Sequence, residues 1–299
     1  MLILYPYKKT DLMKRFLLLL SMILVLASCG RRSEPGGRII SVSIAPFRYF
    51  VDEISGGSFT VNVMVPPGSN PHIYEPVPEQ IANLGKSVAY ISDGYLGFEM
   101  AWLDRFYEIN RTMKRLSLSE SVDPIISEEH HHDDGHSEGA DPHYWVSPRC
   151  AASMALSVKD FLTSLDHEKS DLFNENYKKL LVKISALDSM ASELSSYPGK
   201  KAFMIYHPNL AYLARDYGLE EITVEADGKE PSPSGLKELI DRAKEDSIKV
   251  IMVQREYDTK NAKAVADEAG ARIVVIDPLS EDWYSSTAGI IKIIKESFE

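Results

Sequence analysis

The chain has 299 residues, with 33 Lys and Arg against 44 Asp and Glu and a formal net charge of −11. That balance argues against nucleic acid as a partner and is compatible with attracting cations, although an acidic surface also serves ordinary solubility. Only two cysteines, Cys29 and Cys150, are present, which excludes a disulfide-rich scaffold.

Residues 1–28 read as a secretory signal. Lys8, Lys9, Lys14 and Arg15 precede an apolar run from Phe16 to Ala27 that is short for a transmembrane helix. The run ends in Leu26-Ala27-Ser28-Cys29, small residues ahead of a cysteine, which resembles a bacterial lipobox. The expectation is cleavage before Cys29, lipidation of that residue and an extracytoplasmic, membrane-anchored protein. An ordinary signal peptide or weak anchor with an incidental cysteine is the alternative. With Cys29 lipidated, Cys150 stands alone in an apolar helical pattern (CAASMALSV) and reads as a core residue rather than a reactive thiol. Residues 29–38, polar with Gly and Pro, read as a tether.

From Ile39 onward strand and helix patterns alternate. Ile39–Ala45 is strand-like, Pro46–Ser55 a helix with Pro in its first turn, and Thr60–Val65 a second strand ending in PPGSNPH. A short helix follows at Pro78–Gly85, then strand Ser87–Ser92, helix Gly97–Ile109 and strand Met113–Leu118. Glu120 to Asp141 is a long polar loop, and Ser147-Pro148 starts a helix running to about Leu165. From His167 to Ser195 apolar residues recur at steps of three or four, from Phe173 through Leu180, Ile184 and Leu187 to Leu194, with no internal Gly or Pro. That is one long amphipathic helix, on the order of 40 Å, stopped by Tyr197-Pro198-Gly199. Strands at 201–206, 220–224, 249–254 and 271–276 then alternate with helices at 209–217, 233–246, 259–269 and from about 285. Strands separated by helices predict parallel βαβ units. The fold class is α/β, as two layered lobes: 39–165, a long connecting helix 166–197, and 198–299.

The histidines carry the chemistry. His130, His131, His132 and His136 share one acidic loop (EEHHHDDGHSE), while His72, His143 and His207 each sit beside Pro in a loop-like context. His72 (NPHIYEP) follows the second strand, His207 (YHPN) follows the first strand of the second lobe, and His143 (DPHYWVSP) precedes a helix. Asp277, in VVIDPL, also follows a strand end. Ligands of open α/β sheets bind beyond the carboxyl ends of the strands. Three imidazoles and one carboxylate from four loops suit zinc, although a single His in such a dipeptide is usually a surface or hydrogen-bonded residue and no HExxH-type motif is present.

The segments PPGSNPHIYEP, DPHYWVSP, YHPNLAYLARDYG, DGKEPSPSGL and VVIDPL, in that order, resemble the TroA-like metal-binding proteins of ABC importers, above all the zinc-uptake (ZnuA-type) branch. The resemblance runs from about 39 to 299. It implies two α/β lobes joined by one long helix with a metal site in the interlobe cleft. The ligands it implies are His72, His143, His207 and Asp277, and the metal would be handed to a membrane permease driven by an ATPase. Manganese-preferring relatives tend to place Glu where His207 stands, and imidazole at that position favours Zn(2+). A manganese- or iron-binding member of the same family is the alternative. The resemblance also suggests that the loop holding His130, His131, His132 and His136 binds a second, weaker zinc, against the simpler reading of a solvated loop. A zinc hydrolase fits poorly, because a fourth carboxylate closes the site and no general base or GxSxG motif accompanies it. The expectation is thus a non-enzymatic, monomeric solute-binding protein, with an adhesin role as a possible addition. Asp141 or Glu75 is placed to accept the free ring N–H of a ligand histidine, and Tyr206 and Trp145 to wall the site.

Overall fold

The computed structural model describes residues 37–126, 139–225, 229 and 231–298. The expected signal segment 1–28, Cys29 and His130, His131, His132 and His136 lie outside the described residues.

The first half folds as strand and helix in strict alternation: β1 (Ile39–Ile44), α1 (Ala45–Ser55), β2 (Thr60–Val65), α2 (Pro78–Leu84), β3 (Ser87–Ser92), α3 (Gly97–Ile109) and β4 (Lys114–Ser117). Parallel strands cannot be joined by a tight turn, so each connection carries a helix or long loop. All pairs are parallel and the strand order is β2-β1-β3-β4. Two helices follow, α4 (Pro148–Leu165) and α5 (Ser170–Leu194). The second sheet then repeats the first: β5 (Ala202–Ile205), α6 (Ala211–Tyr217), β6 (Glu220–Thr223), α7 (Pro233–Glu245), β7 (Val250–Gln254), α8 (Lys260–Ala269), β8 (Arg272–Ile276) and α9 (Trp283–Phe298). Its order, β6-β5-β7-β8, is again wholly parallel. In both sheets the chain steps to one side of its first strand and then returns to the other. A crevice therefore opens at the carboxyl ends of β1 and β3, and of β5 and β7.

The connecting helix differs from expectation at its start. A 3-10 turn at His167–Lys169 precedes α5, because Asp166 is extended and the Lys169 N–H donates back to its carbonyl at 3.2 Å. Arg38 pairs with the Asp166 carboxylate at 2.5 Å and fixes this corner. The helical part is 25 residues, about 37 Å long. Phe173, Leu180, Ile184, Leu187, Ala191 and Leu194 are buried along one stripe, and α5 packs against α1, α4 and α9.

The core is continuous through this helix. One cluster runs from Ile40, Val42 and Phe50 through Met154, Leu180 and Leu187 to Phe203, Ile205 and Ile291. The alternate residues of β5, Ala202 and Met204, point to the other face and join a smaller cluster with Ile251 and Val265. The period of two along β5 thus divides its side chains between an interlobe core and a local one. Cys150 is buried in α4, and burial pushes its thiol up to about 11, as a packing role requires.

Candidate metal site

His72 is presented by the turn after β2. Its backbone N–H donates to Asn70 Oδ1 at 2.9 Å, an Asx turn that fixes the loop. The start of α3 packs directly beneath it. A Cβ at Gly97 would stand 2.8 Å from the His72 carbonyl oxygen, so only glycine permits this approach.

His143 is 5% exposed and immediately precedes a 3-10 turn, Tyr144–Val146. Asp141 Oδ1 accepts its backbone N–H at 2.7 Å and faces its Nδ1 at 2.8 Å. Tyr212 then ties Asp141 down, its hydroxyl donating to the Asp141 carbonyl at 2.7 Å and accepting the Ile125 N–H at 3.1 Å. Of the two carboxylates expected as histidine partners, Asp141 fills the role and Glu75 is exposed.

His207 follows β5 and is 8% exposed. Gln254, the last residue of β7, clamps its backbone: the amide donates to the His207 carbonyl at 2.6 Å and the amide oxygen accepts its N–H at 3.3 Å. Glu225 Oε1 lies 3.1 Å from Nδ1, and the Tyr257 ring stacks on the imidazole at 4.7 Å and 16°. None of Gln254, Glu225 and Tyr257 was anticipated from the sequence. Gln254 and Glu225 stand at or just beyond strand ends, which is the signal that points to them.

The three rings form a near-equilateral triangle, with centroids 5.1, 5.3 and 5.3 Å apart. One ligand nitrogen from each lies within 4.8 Å of the others, and the His72 and His207 Nε2 atoms are 3.2 Å apart. Two nitrogens bound at 2.0–2.1 Å to a tetrahedral ion stand about 3.3 Å apart, so the pair is already at ligand spacing. With Nδ1 of His143 and His207 each held by a carboxylate, the neutral tautomer places its lone pair on Nε2. Burial, then the neighbouring His143 and His207, drives the His72 imidazole down to about 3, and burial also lowers His207. Burial alone would raise the Asp141 carboxyl, but His143 and its hydrogen bonds hold it below the ordinary carboxylate range. Burial therefore keeps the His72 and His207 imidazoles neutral, as metal ligands must be. All three histidines line a cavity of about 860 Å³ together with Asp141, Glu225 and Tyr257.

Asp277, expected as the fourth ligand, is not in this group. Register explains why: β7 and β8 pair with Gln254 opposite Ile276, so the next residues, Arg255 and Asp277, emerge side by side. The Arg255 guanidinium takes Asp277 Oδ2 at 3.1 Å, and Oδ1 is buried without a hydrogen-bond partner. Trp145 stands 5.4 Å from the His143 ring and Tyr206 packs on Tyr257 at 5.7 Å, so these two, expected to wall the site, pack behind its lining residues instead.

Two parallel α/β lobes joined by a helix, with two buried imidazoles and the half-buried one of His72 converging from both, define the two-lobed solute-receptor architecture with a candidate cation site. Residues 40–296 match the family described as zinc-uptake complex component A, periplasmic, and the chain belongs to that family. It is 26% identical over 299 residues to the high-affinity zinc uptake system protein ZnuA of Bacillus subtilis, covering 92% of each chain. It is 27% identical over 281 residues to the zinc-binding lipoprotein AdcA of Streptococcus pneumoniae, where the match takes in 89% of this chain and 56% of AdcA. The chain thus spans little more than half the length of that relative. A crystal structure of ZnuA superposes with a TM-score of 0.81 at 34% identity, over 88% of this chain and all of that one.

Proposed function

We propose that this chain is an extracytoplasmic lipoprotein that captures Zn(2+) between its lobes and delivers it to the permease of an ABC importer. The family is one of solute-binding transport components, which supports a receptor rather than an enzyme. The observation that carries the reading is the convergence of His72, His143 and His207, one ligand nitrogen each, with two of the three oriented by a carboxylate. An all-imidazole set of borderline-soft donors favours zinc, whereas manganese prefers oxygen and lies below zinc in the affinity series. Asp277 would complete the set as fourth ligand once its carboxylate is freed from Arg255. Lipidation at Cys29, after removal of 1–28, would hold the receptor at the membrane. The lobe limits 39–165 and 198–299, with 166–197 between them, fit the two sheets and α5.

The deciding measurement is metal content of the purified protein together with Zn/Mn competition on the chelated form. Wild type should take one zinc tightly and prefer it at equal supply. His207→Ala should lose more than about a hundredfold in affinity, since removal of a mere supporting partner already costs 10–100-fold. Preferential uptake of manganese, or unchanged zinc binding in His207→Ala, would overturn the assignment.

A further inference from the structure

The one carboxylate expected in the site but absent from the imidazole cluster has a cation on it already. We propose that Arg255 is a stand-in cation for the metal: it holds Asp277 in the empty receptor, and metal capture exchanges the guanidinium–carboxylate pair for a metal–carboxylate bond. This rests on Asp277 being the fourth ligand, as proposed above.

The exchange follows from how the two residues are held. The backbone around Asp277 is fixed: Ser286 Oγ donates to its carbonyl, and Trp145 Nε1 donates to the Pro278 carbonyl at 3.0 Å. Trp145 is two residues from His143, so the same contact ties the Asp277 turn to the ligand loop. The Asp277 side chain is 22% exposed, and only Oδ2 is answered, while Oδ1 is buried without a partner. The next residue after Arg255, Glu256, also buries an unpartnered oxygen, Oε2, and its carboxyl is raised by burial and by Asp277. One guanidinium therefore serves a corner that holds two carboxylates.

Arg255 is built to leave. Its side chain is 61% exposed, so the guanidinium can turn into water without stranding a buried charge. Its stem reaches toward the N-terminal lobe, with Cδ 3.9 Å from where a Cβ on Gly68 would lie, four residues before His72. Asp277 lacks that freedom. A carboxylate stripped of its partner in a half-buried site is unfavourable, so the pair should open as the ion arrives and close when it departs.

The exchange makes Arg255 a competitor of the ion, which sets the direction of its test. Zinc affinity would be measured on the full chain, after chelation, by competition with a chromophoric chelator in Arg255→Gln, Arg255→Lys, Asp277→Asn and the Arg255→Gln/Asp277→Asn double variant. Arg255→Gln should bind zinc about two- to fivefold more tightly, the range set by a solvent-exposed pair. Arg255→Lys should stay near wild type, and in the Asp277→Asn background Arg255→Gln should have no effect. Thermal unfolding gives a second readout: Arg255→Gln should lower the melting temperature of the metal-free protein and leave that of the zinc-loaded protein unchanged. Equal or weaker binding in Arg255→Gln, equal loss of stability in both forms, or a gain that persists without Asp277 would each overturn the proposal. Unchanged affinity in Asp277→Asn alone would instead remove Asp277 from the ligand set, and the exchange with it.

Discussion

At the scale of single residues, the site works by aiming three imidazoles and by keeping those of His72 and His207 neutral. Asp141 and Glu225 each take one Nδ1, and the Asx turn at Asn70 sets the His72 loop. The cost is that the His72 and His207 imidazoles, withdrawn from water, resist protonation. His72 titrates at about 3, chiefly through burial and then through His143 and His207, against an ordinary value of 6.5. Below 6.5 the unfolded chain binds a proton that the folded chain refuses, so this stability is present above 6.5 and is lost as pH falls toward 3. The metal-free protein should therefore lose melting temperature between pH 7.5 and pH 5, and His72→Asn should lose less over the same interval. Equal losses in the two proteins would separate His72 from the acid sensitivity.

At the scale of elements, the candidate ligands stand in the connections between elements. Strand ends deliver His207, Gln254, Arg255 and Asp277 to one edge of the second sheet, while the loop after β2 and the segment before α4 supply His72 and His143 from the first lobe. Gly97 allows α3 to brace the His72 turn from below. The base of the histidine-rich loop is closed by an antiparallel bridge between Ile126 and Ala140, and by the Asp141 N–H donating to the Ile125 carbonyl at 2.8 Å. Because the hydrogen bonds that position Asp141 and His143 lie on the near side of that bridge, excising 128–138 should leave one tight zinc site intact. Equilibrium titration of the deletion variant checks this, and disappearance of the tight equivalent would place the primary site in the loop instead.

At the scale of the whole molecule, the interlobe core decides how the parts move. Phe173, Leu180 and Leu187 of α5 share one cluster with residues of both sheets, so separating the lobes would expose apolar surface along the helix. Small adjustments of loops and side chains are cheaper than wide closure, and the Arg255 exchange is of that kind. The two lobes should unfold in one cooperative transition, followed by calorimetry. Free zinc at about a thousand times Kd should stabilise that transition by about 4 kcal/mol. Two resolved transitions would show that the shared core does not couple the lobes.

The sequence by itself determined the alternation of strands and helices, the presence and stop of the connecting helix, and the three histidines of the candidate site. Those features are local: apolar period, Pro and Gly punctuation, and histidines set beside strand ends. It also nominated Asp277, but whether that carboxylate faces the ion or a cation depends on the register of β7 against β8, which brings Arg255 to its side. Glu225 and Gln254 were silent for the same reason. Their roles are set by parallel pairings between strands far apart in the chain, β5 with β6 and β5 with β7. Local sequence could fix which residues had donor atoms; only the packed sheets decided which of those atoms were free.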